Sequence, residues 1–120
     1  MARFSIGTDI EEVSRIKKLI RNQRFLNRIF NDAEIHYCKS KKNSAQHFAV
    51  RFAAKEAVWK ALSQRFNGKS VGHKEITVQR TLSGKPHIAL SPRLKKFERF
   101  ISLSLSHTRT CALAVAIYIP

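Results

Sequence analysis

The stretch RFAAKEAVWKAL, residues 51–62, constrains the fold of this chain more than any other segment. Phe52, Trp59 and Leu62 recur at the spacing of an amphipathic helix. Glu56 lies on the same face, four residues after Phe52 and three before Trp59. The sequence therefore predicts a helix that carries a carboxylate among the aromatic side chains of its buried face. Burying a lone carboxylate costs free energy or forces it to take up a proton, so a cation is expected beside it.

Two kinds of cation can compensate the Glu56 carboxylate. Lys60 lies four residues later, in the Glu-then-Lys order that favours an ion pair on a helix. The other candidate is a divalent metal ion, because magnesium takes one or two protein carboxylates and completes its shell with water and phosphate oxygens. Asp9 is the candidate for a second carboxylate, but it is also placed to cap a following helix. Spacing alone leaves both interpretations of each acid open.

The first half of the chain is predicted to be mainly helical. A short strand over 3–10 comes first, and Gly7 within it marks a bulge or a close backbone approach. Helices are predicted in 11–22, in 22–30 as a continuation or as a second helix after a break, from Asn31 onward, and in the long central stretch 44–63. Asn31 followed by Glu34 resembles a capping box, and Ser44 is placed to cap the central helix.

The second half of the chain is predicted to be mainly strands. Segments 75–80 and 87–90 flank a turn and together predict a hairpin. Ser91-Pro92 is a cap and first position for one more helix. Strict alternation over 101–108 predicts a half-buried strand, and the near-continuous apolar run 110–119 is typical of a central strand. Helices gathered before strands predict an α+β domain.

Length and charge restrict the class of protein. We predict a single domain over residues 1–120, with no disulfide framework from its two cysteines. Lys plus Arg number 23 and Asp plus Glu number 8, so the net charge is +15, which attracts polyanions. The N-terminus has too short an apolar run for a signal peptide, and no segment approaches the roughly 20 apolar residues of a membrane span. A reduced cytoplasmic location is predicted.

Cationic and hydrogen-bonding groups around the acids suit a polyphosphate ligand. Arg51 and Lys55 form an i, i+4 pair beside Glu56. Ser106-His107-Thr108 offers two hydroxyls and an imidazole where a strand ends, and Ser83-Gly84-Lys85-Pro86 forms a turn. Each of these features also has a purely structural interpretation. The remaining histidines show no ligand spacing and receive no role: His36, His47, His73 and His87.

The predicted first helix carries basic residues spaced 4, 3 and 4 apart: Lys17, Arg21, Arg24 and Arg28. They form a cationic stripe if the helix is continuous. Arg15 and Lys18 lie nearby, Phe25 interrupts the polar surface, and beyond Glu12 no acid is interleaved. Such a stripe suits docking of an acidic partner. It suits contact with nucleic-acid phosphates equally well.

These motifs resemble those of the holo-acyl-carrier-protein synthases, the small group of 4′-phosphopantetheinyl transferases. IGTDIEEVSRI is similar to their first motif, RFAAKEAVWKAL to their second, and SGKP and SLSHT to their last two. Order and spacing hold from about Ile6 to Ile117. The resemblance implies an α+β fold and a compact homotrimer with active sites between neighbouring subunits.

The resemblance also implies an activity in fatty acid biosynthesis. Enzymes of this family move the 4′-phosphopantetheine arm of coenzyme A onto a serine of apo-acyl carrier protein, an acidic partner, and release adenosine 3′,5′-bisphosphate. Magnesium, or manganese in its place, is the implied cofactor. By the same resemblance, Asp9 and Glu56 are the metal ligands, and Lys60 completes the catalytic set by approaching the phosphates.

The resemblance assigns two further sets of residues. The implied coenzyme A contacts are Arg51, Lys60, Gly84, Pro86, Ser106, His107, Thr108 and Lys42. The implied carrier-protein contacts are Arg15, Arg21, Arg24, Phe25 and Arg28. The family often has a basic pair and an apolar residue just before the long helix, near the nucleotide 3′-phosphate. This chain has Lys42 there, but Asn43 and His47 depart from the pattern.

A small basic nucleic-acid-binding protein is the alternative function. It explains the net charge of +15 but not a carboxylate between Phe52 and Trp59. The chain also lacks exposed aromatic residues interleaved with the basic ones, which stacking on bases requires. A carrier-binding module without catalysis would have lost Asp9 or Glu56, and both are present. Neither nucleic acid nor a membrane is therefore expected as a partner.

Overall fold

The computed structural model describes residues 3–65, 71–80 and 84–120, so Ser83 of the predicted turn lies outside the described residues. The elements are β1 (Ser5–Glu12), α1 (Val13–Leu19), α2 (Gln23–Ile29), α3 (Asp32–Lys39), α4 (Ser44–Ser63), a first 3₁₀ helix (His73–Glu75), β2 (Ile76–Arg80), β3 (Pro86–Leu90), a second 3₁₀ helix (Pro92–Phe100), β4 (Ile101–His107) and β5 (Cys111–Tyr118). The fold is α+β, as predicted. Among the helices of the described ranges, none has both the length and the apolar character that crossing a bilayer requires.

The strands form two antiparallel sheets. In the larger sheet the order is β1-β5-β4, so the apolar run of β5 is central, as predicted, and β2 and β3 form the predicted hairpin. Three buried alanines, Ala112, Ala114 and Ala116, lie on the inner face of β5 before the buried Tyr118. Because the alanine side chains are short, α4 packs closely against the larger sheet with its own buried alanines, Ala53 and Ala57 among them.

Strand β1 contacts the backbone of α4 directly at Gly7. A Cβ atom on Gly7 would lie 1.8 Å from the carbonyl oxygen of Ala57 and 2.8 Å from the backbone nitrogen of Ala61. The interpretation of Gly7 as a close backbone approach is therefore confirmed. Ser5 strengthens the same contact, because its hydroxyl donates a 2.8 Å hydrogen bond to the carbonyl of Ala61.

The interior of the domain contains a charged group, the ammonium of Lys55. This side chain is fully buried, and its Nζ donates to Oε1 of Glu34 at 2.7 Å. Nζ also donates to the backbone carbonyls of Ile76 at 2.7 Å and His73 at 3.2 Å, so all three ammonium donors are satisfied. Burial lowers the pKa of Lys55, and the Glu34 carboxylate opposes that shift. The network attaches α3, the first 3₁₀ helix and β2 to α4.

Several predictions of local structure are corrected. Strand β1 continues to Glu12, which is the N-cap of α1, so Asp9 lies within the strand and does not cap a helix. The predicted basic helix is not continuous, because the chain turns between α1 and α2. Asn22 caps α2 there, with its Oδ1 accepting the backbone N–H of Arg24 at 2.9 Å. The cationic stripe therefore spans two helices.

The other helix boundaries lie at or close to their predicted positions. The Asn31–Glu34 capping box is present at the start of α3. The central helix covers 44–63, but Asn43 is its N-cap in place of Ser44, and it makes no side-chain capping bond. The segment after Ser91 has proline at its start, as predicted, but forms a 3₁₀ helix.

Gly7→Ala is expected to lower the free energy of unfolding by about 2 kcal/mol or more, because the new methyl group meets helix backbone that cannot move aside. Gly72→Ala is the matched control. A Cβ there would lie 3.7 Å from Glu75, and its φ of −81° suits alanine. Urea unfolding of both variants measures the difference, and equal midpoints would contradict the proposed contact between β1 and α4.

Candidate active site

Three acidic side chains meet where β1 lies on α4. Asp9 and Glu11 share the inner face of β1, because they are two residues apart in the strand. They share a hydrogen bond, and Glu56 of α4 lies near enough for its charge to act on Glu11. Burial first, and the adjacent Asp9 carboxyl second, raise the pKa of Glu11 to about 8. Glu11 is therefore mainly protonated near neutral pH, because its surroundings disfavour a further negative charge.

A basic side chain contacts each of these acids. Lys60 Nζ lies 3.4 Å from Asp9 Oδ1, Arg15 Nη1 lies 2.8 Å from Glu11 Oε1, and His73 Nε2 lies 2.7 Å from Glu56 Oε1. Lys60 also donates a 2.8 Å hydrogen bond to the carbonyl of Thr8, so its ammonium is turned toward β1. The interpretation of Glu56 and Lys60 as an ion pair within the helix is therefore wrong, since each residue has a different partner.

One carboxylate oxygen of the site has an unmet need for a cation. Asp9 Oδ2 is buried and has no hydrogen-bond partner among the described residues. A buried carboxylate oxygen without a donor is costly, and a cation would remove that cost. No group of three or more His, Cys, Asp or Glu in the described ranges is arranged to hold a metal ion. Asp9 and Glu56 therefore fit an ion that takes its other ligands from water and phosphate, as magnesium does.

A cavity of about 420 Å³ lies between α4, the β2–β3 hairpin and β4. Four of the predicted coenzyme A residues line it: Arg51, Gly84, Pro86 and His107. The Arg51 side chain is buried, and its guanidinium carbon lies 4.2 Å from the centre of the Tyr37 ring. Its Nε has no hydrogen-bond partner among the described residues. The wall of the cavity thus includes a buried positive charge.

Comparison with known proteins decides the family. The family model described as the 4′-phosphopantetheinyl transferase superfamily matches residues 5–116. The chain belongs to this superfamily.

Relatives of known name match the chain over nearly its whole length. The holo-[acyl-carrier-protein] synthase of Clostridium botulinum (strain Eklund 17B / Type B) is 47% identical over 117 residues, which cover 93% of this chain and 94% of that protein. The synthase of the same name from Chlamydia caviae is 49% identical over 122 residues, covering 98% of each chain.

Solved structures of the superfamily share the fold. The synthase of Bacillus anthracis str. Ames, in complex with CoA (3′,5′-ADP), gives a TM-score of 0.78 at 30% identity and covers 99% of this chain and 98% of that one. The Helicobacter pylori synthase in complex with coenzyme A gives a TM-score of 0.78 at 33% identity and covers 96% of this chain and 99% of that one.

Two more of the predicted coenzyme A residues line cavities other than the one at Arg51. Lys60 lines a cavity of about 220 Å³ together with Asp9. Lys42 lines one of about 490 Å³ together with Lys17 and Arg109. The predicted contacts therefore fall into three regions of the single chain, one around Arg51, one at the carboxylates and one before α4.

The last two predicted coenzyme A residues lie in the final part of β4 and just after it. Ser106 is exposed on the strand, and Thr108 lies in the turn between β4 and β5. The Thr108 hydroxyl accepts the backbone N–H groups of Thr110 at 3.2 Å and Cys111 at 3.0 Å. Within this chain Thr108 therefore shapes the turn.

The predicted carrier-protein residues lie along α1, the turn after it and α2. The four arginines are exposed: Arg15, Arg21, Arg24 and Arg28. Phe25 is half-buried, and its ring packs edge-on against Phe52, with centroids 5.6 Å apart. Phe25 therefore joins this basic surface to the core beneath it.

Sequence reasoning placed one residue wrongly and missed two others. Lys55, predicted to join Arg51 at a polyphosphate site, is buried with Glu34 and does not reach that cavity. Glu11 could have been found, because alternation in a strand puts it on the same face as Asp9. His73 could not, because its contact with Glu56 arises only when the first 3₁₀ helix packs on α4.

Proposed function

We propose that this chain transfers the 4′-phosphopantetheine group of coenzyme A to a serine of apo-acyl carrier protein, for fatty acid biosynthesis. The observation that carries the proposal is the carboxylate pair, Asp9 with an unpartnered buried oxygen and Glu56 on the facing helix, beside the Lys60 ammonium. The names of the relatives and the coenzyme A complexes of similar structures support the same reaction.

The reaction forms one bond and breaks one. The serine hydroxyl oxygen attacks the β-phosphorus of coenzyme A, and the bond from that phosphorus to the bridging oxygen breaks. Adenosine 3′,5′-bisphosphate leaves with the bridging oxygen, and the hydroxyl proton passes to a base, for which Glu56 is the candidate. A magnesium or manganese ion held by Asp9 and Glu56 supplies positive charge to the pyrophosphate oxygens when bound.

Lys60 and Arg51 are proposed to contact the phosphates of coenzyme A. Lys60 is half-exposed, so its ammonium can turn from Asp9 and the carbonyl of Thr8 toward a phosphate oxygen. The buried Arg51 guanidinium lines the cavity of about 420 Å³, and a guanidinium binds phosphate oxygens well, so we assign that cavity to the nucleotide end of coenzyme A. Gly84 also lines this cavity, and its φ of 83° is a backbone conformation that other residues rarely adopt.

The basic surface formed by Arg15, Arg21, Arg24 and Arg28 is proposed to dock the acidic carrier protein. Its arginines are exposed, and among them the described structure pairs Arg15 with Glu11. Opposite charge on the partner accelerates encounter and fixes orientation. Docking there places the carrier near β1, because α1 follows that strand directly.

A homotrimer with active sites at the subunit interfaces is proposed as the assembly. The outer face of the larger sheet pairs Ile6 with Ile117 and Ile10 with Leu113, and Ile10 is 66% exposed. Contiguous exposed apolar side chains on a sheet indicate a contact surface. Ile10 and Leu113 also border the cavity that contains Asp9, so a neighbouring subunit on this face would complete the site.

A cytoplasmic location is proposed as well. Cys38 and Cys111 are both free thiols, which suits a reducing compartment. Fractionation of cells that produce the protein, followed by immunodetection, tests the location.

Glu56→Gln and Asp9→Asn are each expected to reduce transfer by about 100-fold or more, because shape is kept while the charge that serves the transition state is lost. Mass spectrometry of the carrier protein and release of adenosine 3′,5′-bisphosphate measure the reaction with magnesium present. Asp32→Asn, on an exposed acid of α3, is the matched control and should behave as the parent. Normal turnover by Glu56→Gln would exclude the proposed site.

Arg24→Glu is expected to raise the KM for the carrier protein by about tenfold, while the KM for coenzyme A stays the same. Lys96→Glu makes the same change of net charge on an exposed residue of the second 3₁₀ helix. It therefore controls for the effect of net charge on the electrostatic field of the whole protein. Steady-state kinetics in both substrates measure the two constants. Equal effects of the two variants would contradict a localised docking surface.

Ile6→Glu is expected to convert the trimer to smaller species, because a charge on the outer face of the larger sheet cannot be buried without a partner. Sedimentation velocity at micromolar concentration measures the assembly, and Lys96→Glu, on an exposed residue of the second 3₁₀ helix, should leave it unchanged. A parent protein that sediments as a monomer would rule the assembly out.

A further inference from the structure

His73 occupies a central position that the proposed chemistry does not use. It begins the first 3₁₀ helix, and its Nε2 lies 2.7 Å from Oε1 of Glu56. Its ring stacks on Phe52, with centroids 6.0 Å apart and planes inclined by 20°. Both groups of the pair are largely shielded, with side-chain exposures of 24% for His73 and 22% for Glu56. The contact is therefore short, sheltered and fixed in ring orientation.

The backbone of His73 is held as firmly as its ring. Its carbonyl accepts a hydrogen bond from the buried Lys55 ammonium at 3.2 Å. Glu75 closes the same short helix, because its side chain accepts from the backbone N–H of Gly72 at 3.0 Å. Arg93 and Ser91 hold the Glu75 carboxylate in turn, at 2.6 Å and 2.8 Å. The position of the imidazole is therefore set by its own backbone and by Phe52, and the Glu56 side chain orients toward it.

A fixed donor at one oxygen determines where the other oxygen points. Glutamate on a helix has three rotatable side-chain bonds, and ordering them on ligand binding costs free energy. The His73 contact uses Oε1, whereas no hydrogen-bond partner of Oε2 is found among the described residues. Carboxylates that ligate metals are commonly oriented by such a hydrogen bond, whose loss costs about 10–100-fold in metal affinity or activity.

We propose that His73 is a positioning residue for the divalent ion: it fixes the Glu56 carboxylate so that Oε2 is available to the cation. This inference rests on the proposed function, because Glu56 is assigned there as a metal ligand. It adds a residue to the site that comes from outside the four family motifs, at the base of the β2–β3 hairpin.

The test measures manganese affinity without turnover. Mn²⁺ is titrated into the full-length protein with coenzyme A present and the carrier absent, and free Mn²⁺ is followed by electron paramagnetic resonance. His73→Phe keeps a ring on Phe52 but removes the donor, and it is expected to weaken Mn²⁺ binding by about tenfold or more. His73→Gln restores a nitrogen donor near the position of Nε2 and is expected to recover most of the affinity. His36→Phe, exposed on α3, is the matched control.

A second measurement separates positioning from a structural role. Because the defect lies in ion affinity, raising the Mg²⁺ concentration should restore the kcat of His73→Phe but not that of Glu56→Gln. Urea unfolding checks that the variants are folded. If His73→Phe does not fold, His73→Asn takes its place with the same expectation, because its shorter amide does not reach Glu56.

The outcomes distinguish this inference from the proposed function. A parent that binds Mn²⁺ and a His73→Phe variant that binds it equally well would overturn the role of His73 and leave the transferase site standing. A loss of activity that Mg²⁺ does not relieve would also overturn it. A parent that binds no Mn²⁺ would overturn both.

Discussion

The buried ammonium of Lys55 is the interaction on which the geometry of the site depends. A charge inside a protein is tolerated only where its hydrogen-bonding capacity is fully used, and Lys55 meets that condition with Glu34 and the carbonyls of His73 and Ile76. These acceptors come from α3, the first 3₁₀ helix and β2, so one side chain of α4 fixes three elements. Glu56 is the next residue along α4. The hydrogen bonds of Lys55 therefore also hold the first 3₁₀ helix, with His73, beside the proposed metal ligand.

The second constraint is the absence of side-chain volume between β1 and α4. Gly7 and the alanines of β5 let strand and helix backbones approach more closely than larger residues would permit. This contact brings Asp9, near the start of the chain, beside Lys60 on the last turns of α4. The core thus uses two kinds of contact: small apolar residues let β1 approach α4 closely, and the buried Lys55–Glu34 pair joins α4 to α3.

Local patterns predicted the elements well and their contacts poorly. The central helix, the Asn31–Glu34 capping box and the central position of β5 all follow from periodicity or short-range hydrogen bonding, which the sequence contains in full. By contrast, tertiary packing determines which charged side chains pair with each other. Lys55 and Glu56 are adjacent in sequence, and nothing local shows that the lysine is the buried one. The partner of Glu56 is likewise a histidine from another element, since packing and not helical spacing determines the contact.

The distribution of charge explains how a protein of net charge +15 can contain a cluster of acids. Both substrates of the proposed reaction are anionic, so positive charge on the exposed arginines of α1 and α2 favours encounter. Asp9 and Glu11 lie on the inner face of β1, and burial, followed by the neighbouring Asp9 carboxyl, raises the pKa of Glu11. Such a cluster would repel a pyrophosphate by itself. A divalent cation reconciles the two, because it neutralises the carboxylates and offers its remaining positions to phosphate oxygens. Two features favour such an ion at the proposed site: the buried Asp9 oxygen that has no hydrogen-bond partner among the described residues, and the hydrogen bond between His73 and Glu56.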